Sequence, residues 1–130
     1  MAAVRVIGLD HIVLRCGDVE RTLRWYTEVL GLPGERVDEW RRGEVFFPSV
    51  RIDATTLIDL FPGDAVPAGA PRNLEHFCIV IEPTDLDALA SSGTFDVASG
   101  PSDGLFGAQG EARSLYVRDP EGTIIELRSY

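Results

Sequence analysis

The residues best suited to chemistry are two histidines and two carboxylates. His11 and His76 are the only histidines in the chain, and Asp59 and Glu126 each stand within an apolar segment, IDLF and IIEL. An ionised carboxylate in apolar surroundings is costly unless a proton, a cationic side chain or a metal ion accompanies it. These four residues therefore raise the question of what partner the two carboxylates have.

The chain contains an internal repeat. Residues 50–61 (VRIDATTLIDLF) and 117–128 (VRDPEGTIIELR) match at several positions with an offset of 67 residues. Residues 8–16 (GLDHIVLRC) and 73–81 (NLEHFCIVI) share a Leu, an acidic residue and a His in the same order, with an offset of 65. The sequence thus reads as two copies of one unit that differ by a small insertion.

The repeat relates His11 to His76 and Asp59 to Glu126. Side chains alternate between the two faces of a strand, so each His and each carboxylate shares its face with other candidate pocket residues, opposite a purely apolar face. Paired His and carboxylate side chains are typical ligands of divalent transition metals. We therefore predict a divalent metal ion (Ni, Co, Zn, Mn or Fe) held by His11, His76, Glu126 and Asp59.

Simpler explanations exist for each residue taken alone. A single His in a strand is more often a hydrogen-bonded core residue than a metal ligand. Glu126 could form an ion pair with Arg15 or Arg128. The repetition of the His and carboxylate pattern in both halves favours the metal site.

The pattern of apolar residues predicts an α+β fold with two tandem βαβββ modules that form a cupped, eight-stranded mixed sheet. The first module spans 1–62, a linker rich in Pro, Gly and Ala spans 63–73, and the second module spans 74–130. The first predicted helix is capped by Asp18 and ended by Gly31, and the second is capped by Thr84 or Asp85. In chain order, the predicted elements are strand 5–16, helix 18–31, strands 35–40, 43–50 and 55–61, strand 74–81, helix 84–91, and strands 95–99, 112–118 and 123–129.

Several further residues are candidates for contacting a substrate on the concave face of the sheet. They are aromatic or basic side chains of predicted strands and loops: Arg15, Trp40, Phe46, Phe61, Phe106, Tyr116 and Arg128. The glycine-rich segment 100–110 that carries Phe106 is predicted to be a mobile loop. Arg51 and Arg118 recur at the repeat offset, and a structural ion pair explains them as well as substrate binding does.

Composition excludes several classes of function. The net charge of -9 disfavours nucleic acids and anionic membranes as partners. All 12 basic residues are Arg, so Schiff-base chemistry and a Walker lysine are excluded. Cys16 and Cys78 are expected to be free thiols, and the N-terminal segment has no signal-peptide pattern, so we expect a cytoplasmic protein.

Three segments carry a resemblance to a known family: GLDHIVLRCGDVERTLRWYTEVLGL, LEHFCIVI and RSLYVRDPEGTIIEL. They resemble the vicinal oxygen chelate superfamily, which comprises glyoxalases, bleomycin-resistance proteins and extradiol dioxygenases. The resemblance covers nearly the whole chain and implies a homodimer with a metal between the modules. The family's usual ligand positions match His11, His76 and Glu126, and the fourth matches Asp59, where glyoxalase I enzymes usually carry the longer Glu.

The resemblance leaves two kinds of function open. Extradiol ring cleavage normally uses a further His, and fosfomycin-modifying transferases usually use Lys, and this chain has neither. A glyoxalase-like isomerase, lyase or epimerase acting on a small substrate is compatible, with Asp59 or Glu126 as the catalytic carboxylate that moves a proton. The alternative is a bleomycin-resistance-like protein that binds an aromatic antibiotic in the cup without chemistry.

Overall fold

The computed structural model describes all residues from 1 to 130. The chain divides into two compact units, Met1–Ala65 and Val66–Tyr130. The boundary lies inside the segment 63–73 that the sequence marks as a linker. Each unit contains one copy of the internal repeat.

The first unit is built on a four-stranded mixed sheet with the order β1-β4-β3-β2, in which β1 and β4 are parallel and the other neighbours antiparallel. Its elements in chain order are β1 (His11–Cys16), α1 (Val19–Arg24), β2 (Gly34–Glu35), α2 (Val37–Arg41), β3 (Ser49–Asp53) and β4 (Thr56–Pro62).

Helix α1 forms where the sequence predicts a helix. The side chain of Asp18 accepts a hydrogen bond from the backbone N–H of Arg21 at 3.0 Å, which satisfies one of the free amides at the helix N-terminus. Leu23 and Tyr26 are fully buried, so this face of the helix closes one side of the core. The helix continues through one π-helical turn, Trp25–Val29.

The second unit repeats the plan with a four-stranded mixed sheet of order β5-β8-β7-β6, in which β5 and β8 are parallel. Its elements are β5 (Phe77–Val80), α3 (Leu86–Ser91), β6 (Asp96–Gly107), β7 (Gly110–Arg118) and β8 (Ile124–Ser129). Asp85 caps α3 by accepting from the N–H of Ala88 at 3.0 Å. The predicted α+β class with duplicated modules is confirmed, and the eight strands are arranged as two sheets of four.

Three sequence-based predictions for the first unit are wrong. The segment 35–40 contains the helix α2 in place of a long strand, and Arg36 has a left-handed backbone (φ 57°) that ends β2. The segment 43–50 is mostly irregular, because β3 begins only at Ser49. Strand β1 begins at His11, since its only partner β4 pairs His11 with Leu57 and leaves residues 1–10 without a neighbouring strand.

The predicted loop at 100–110 is also wrong. Strand β6 runs through most of it, and a tight connection at its end leads into β7, where Gly107 pairs with Gly110. Register shifts along β6 accommodate the glycines within the strand. No helix in the structure has the length and apolar character needed to cross a membrane.

Candidate functional site

In the first unit, parallel strand pairing brings His11 and Asp59 together. Strand β1 begins at His11, and Val13 pairs with Asp59 in β4, so the histidine and the carboxylate stand two residues apart in register on one face. His11 Nε2 lies 3.6 Å from Asp59 Oδ2. The Asp59 side chain is buried, whereas the His11 side chain is partly exposed. The pair therefore lies where the buried core meets the protein surface.

The second unit reproduces this arrangement with His76 and Glu126. His76 stands immediately before β5, and Cys78 pairs with Glu126 in the parallel strand β8. His76 Nε2 lies 3.3 Å from Glu126 Oε1. The two units therefore hold one His and carboxylate pair each, in matching positions of the repeat.

The second ring nitrogen of each histidine contacts the preceding acidic residue. His11 Nδ1 lies 2.6 Å from Asp10 Oδ2, and His76 Nδ1 contacts Glu75 Oε2 in the same way. The hydrogen bond that the His11 ring donates to Asp10, followed by the charge of Asp59, raises the pKa of His11 above its ordinary value. Each imidazole thus stands between two carboxylates.

A serine from the neighbouring antiparallel strand holds each strand carboxylate. Ser49 Oγ donates to Asp59 Oδ1 at 2.6 Å, and Ser114 Oγ donates to Glu126 Oε2 at 2.7 Å. In each case the serine donates to one carboxylate oxygen, and the other carboxylate oxygen faces Nε2 of the histidine. The guanidinium of Arg36 donates to the hydroxyl of Ser49 and extends the first network.

Glu126 is ionised despite its burial. Burial alone would raise the pKa of Glu126, but hydrogen bonds from Ser114 and Tyr116 and the charge of Arg128 outweigh it and lower the pKa below the ordinary value. Arg128 Nη2 lies 3.1 Å from Glu126 Oε2. Burial, and then the hydrogen bond and charge of Glu126, raise the pKa of Tyr116 to about 12, so its phenol stays a hydrogen-bond donor.

The geometry of both pairs fits two ligands of one metal ion. Two atoms that each lie about 2.1 Å from the same ion are about 3.0 to 3.4 Å apart at octahedral or tetrahedral angles, close to the 3.6 and 3.3 Å found between Nε2 and the carboxylate oxygens. A cation between an imidazole nitrogen and a carboxylate oxygen removes the repulsion between their lone pairs. The structure shows no group of three or more His, Cys, Asp or Glu side chains that could hold a metal ion, so the four predicted ligands are observed as two pairs.

Comparison with known proteins decides the family. Residues 8–127 match the family model described as the Glyoxalase/Bleomycin resistance protein/Dioxygenase superfamily. The chain belongs to this superfamily. Members of the superfamily commonly use divalent metal ions and bind small molecules.

Individual relatives agree with this membership. The glyoxalase domain-containing protein RDO1 of Mycosarcoma maydis is 35% identical over 129 residues, which cover 96% of this chain and 69% of the relative. The crystal structure of virulence protein STM3117 from Salmonella typhimurium shares 27% identity with a TM-score of 0.68, covering 100% of this chain and 99% of that one. A glyoxalase/dioxygenase structure from Nostoc punctiforme has 21% identity and a TM-score of 0.73, covering 99% and 94%, and shows the same fold.

Two of the predicted substrate-contacting residues of the second unit, Phe106 and Arg128, line one cavity. Its volume is about 270 Å³, and its walls include His76, Cys78, Phe106, Glu126, Arg128 and Tyr130. The Tyr116 ring lies 5.3 Å from the His76 ring in an edge-on arrangement. The carboxylate of Glu126 therefore lies in the wall of this cavity.

The predicted residues of the first unit are less closely grouped. Phe46 and Phe61 pack edge to face at 5.5 Å between ring centroids, and Phe47 joins them. Trp40 lies on helix α2, and Arg15 is an exposed residue of β1. These aromatic rings pack mainly against one another.

Arg51 and Arg118 have structural partners. Arg51 Nε donates to Glu35 at 2.6 Å, and Arg118 Nη1 donates to Asp96 at 3.0 Å. Each arginine thereby links its strand to the neighbouring edge strand. The structural ion pair is the role that the geometry supports at both positions.

Sequence reasoning missed the groups that orient the four central side chains. These are the serine donors and the acidic residues that precede the histidines: Ser49, Ser114, Asp10 and Glu75. The acidic residues carried a visible signal, because an acid precedes the histidine in both halves of the repeat. The serines carried none, because their partners depend on strand register.

Proposed function

We propose that this chain is a divalent-metal-dependent enzyme of the glyoxalase-like isomerase, lyase or epimerase type, acting on a small oxygenated substrate. One observation carries the proposal: in both units a histidine Nε2 faces a buried carboxylate oxygen at a separation suited to two ligands of one ion. A protein that only packs a histidine would not need this arrangement twice.

By resemblance to the superfamily, the candidate metal ligands are His11, His76, Glu126 and Asp59, which stand as one pair in each unit. When bound, a divalent cation polarises a carbonyl oxygen and stabilises the enediolate that forms when the neighbouring carbon loses a proton. The lowered pKa of Glu126 keeps its carboxylate ionised near neutral pH. Oε1 of Glu126 and Oδ2 of Asp59 face away from their serine donors, so the carboxylate that does not use this oxygen as a metal ligand could take a proton there and return it.

Burial and hydrogen bonding would keep these carboxylates in place during such a transfer. Ser114 and Arg128 hold Oε2 of Glu126, whereas Ser49 holds Oδ1 of Asp59. A base with one fixed oxygen retains its orientation when its charge changes. We expect the active form to be a cytoplasmic homodimer that acts on a small molecule.

A second candidate function is sequestration of an aromatic antibiotic. It is favoured by Phe106, whose side chain is 87% exposed at the rim of the second unit's cavity, with Tyr130 in the same wall. An exposed aromatic ring beside a cavity suits stacking on a flat ligand. This function would not require the histidine and carboxylate pairs.

Metal analysis of protein purified without chelators tests the first proposal. We expect about one Ni, Co, Zn, Mn or Fe ion per chain, with loss of metal in His11→Asn and Glu126→Gln. Asp64→Asn is the matched control, because this exposed acid follows β4 at the end remote from His11. Absence of metal from the wild type, with no change in His11→Asn or Glu126→Gln, would refute the enzyme proposal. Stoichiometric binding of an aromatic antibiotic that is recovered unaltered would establish sequestration.

A further inference from the structure

The acidic residue before each histidine recurs in both units with the same contact. Asp10 precedes His11 and Glu75 precedes His76, and in each case a carboxylate oxygen meets Nδ1 of the ring. The two side chains differ in length, yet both reach the same nitrogen. Retention of one contact in both copies of the repeat, although the acidic residue differs, indicates a function for it.

The contact determines which nitrogen carries the hydrogen of a neutral ring. A carboxylate that carries no proton can only accept hydrogen bonds. Nδ1 must therefore carry the hydrogen that it donates to Asp10 or Glu75. The lone pair of the neutral imidazole is then on Nε2, the nitrogen that faces Asp59 or Glu126.

The distances favour this assignment over the opposite one. In the first unit, Nδ1 lies 2.6 Å from Asp10, whereas Nε2 lies 3.6 Å from Asp59, beyond hydrogen-bonding distance. In the second unit, the Nδ1 contact with Glu75 is likewise the shorter of the two. The hydrogen is thus held on the side away from the buried carboxylates.

We propose that Asp10 and Glu75 are positioning residues that fix the Nδ1–H tautomer of His11 and His76 and so present both Nε2 lone pairs for metal binding. The proposal concerns the same site as the proposed function and rests on it for its purpose. The tautomer itself does not depend on whether a metal binds. A carboxylate behind a ligand histidine also makes the ring a stronger electron donor to the ion.

Ring nitrogen shifts in ¹⁵N NMR spectra of metal-free protein test the tautomer directly. At alkaline pH, where both rings are neutral, the wild type should show hydrogen on Nδ1 of His11 and His76. Asp10→Asn should move the hydrogen of His11 towards Nε2, and Glu75→Gln should do so for His76 alone. Asp64→Asn and Glu82→Gln are matched controls, because both acids are exposed. Asp64 follows β4 at the end remote from His11, and Glu82 follows β5 at the end remote from His76.

A titration with Co²⁺, followed by its visible absorption, tests the consequence. Each of the two variants should lose about tenfold in affinity, while the controls bind like wild type. Unchanged tautomers in Asp10→Asn and Glu75→Gln, or hydrogen on Nε2 in the wild type, would overturn the inference even if the protein binds metal. Shifted tautomers in a protein that never binds Co²⁺ would uphold the tautomer assignment and count against the proposed metal enzyme.

Discussion

Arg128 Nη2 lies 3.1 Å from Glu126 Oε2, and only 3% and 6% of the two side chains are exposed. The same guanidinium donates to the backbone carbonyls of Leu105 and Phe106 at 3.0 and 2.8 Å. Arg128 therefore links the buried carboxylate to the tip of the β6–β7 hairpin. This role accounts for an arginine that the sequence suggested as a substrate contact.

Replacing Arg128 should destabilise the protein strongly. In Arg128→Met the carboxylate of Glu126 loses its charged partner, and two carbonyls of the hairpin lose their donor. Removal of one member of a buried ion pair costs about 3 kcal/mol or more, and urea denaturation should show a loss of this size. Arg113→Met is the control, because Arg113 pairs with the exposed Asp87 and Asp103, and an equal loss in both variants would contradict the special role of Arg128.

Removing the serine donor should change both stability and charge at Glu126. Ser114→Ala leaves Oε2 with one hydrogen bond fewer, so we expect a loss of about 2 kcal/mol and a higher pKa for Glu126, because that hydrogen bond lowers the pKa. Denaturation and carboxyl ¹³C NMR titration measure the two effects. Ser129→Ala, on the same sheet, should leave the Glu126 titration unchanged, and an unchanged titration in Ser114→Ala would show that the hydrogen bond does not form.

The close approach at Gly107 should not tolerate a methyl group. A Cβ at this position would lie 2.5 Å from the Tyr130 hydroxyl and 2.6 Å from Cζ of Arg128, whose guanidinium is fixed by the hairpin carbonyls. Gly107→Ala should therefore destabilise the protein by about 1 to 3 kcal/mol. Gly8→Ala, which meets nothing within 4 Å, should be neutral when thermal unfolding is compared, and equal stability of the two variants would mean that the hairpin tip moves freely.

Glu20 should make stability depend on pH in the acid range. The hydrogen bond from Arg41, at 2.7 Å, lowers the pKa of Glu20 in the folded protein despite partial burial. Its contribution is present above the unfolded-state pKa of a glutamate and is lost as the pH falls through the lower folded-state pKa. The difference in urea midpoint between wild type and Glu20→Gln should thus shrink between neutral pH and strongly acid pH, and a difference that does not change with pH would contradict the prediction.

The sequence predicts the parts of the fold that depend on local patterns. The cap at Asp18 and the apolar alternation of Ile125 and Leu127 both appear in the structure. The errors occur where contacts with residues distant in sequence determine the secondary structure. The segment 37–41 is a helix, and Arg41 at its end forms an ion pair with Glu20 of α1. The glycine-rich segment 100–110 lies largely in a strand whose end is held by Arg128.

The site is predictable to a similar extent. The repeat alone relates His11 to His76 and Asp59 to Glu126, and the structure places each histidine beside its carboxylate. The serine donors could not be found in this way, because a hydrogen bond between strands depends on a register that no single segment encodes.

The serine donors occupy different positions in the two sheets. Ser49 lies directly opposite Asp59, whereas Glu126 lies opposite Tyr116 and takes its hydrogen bond from Ser114, two residues further along β7. A short carboxylate is thus matched to a donor across the strand, and a long one to a donor on the diagonal. The two halves of the repeat are therefore not interchangeable. A glutamate in place of Asp59 would carry its carboxylate oxygens past the Ser49 hydroxyl that now donates to Asp59.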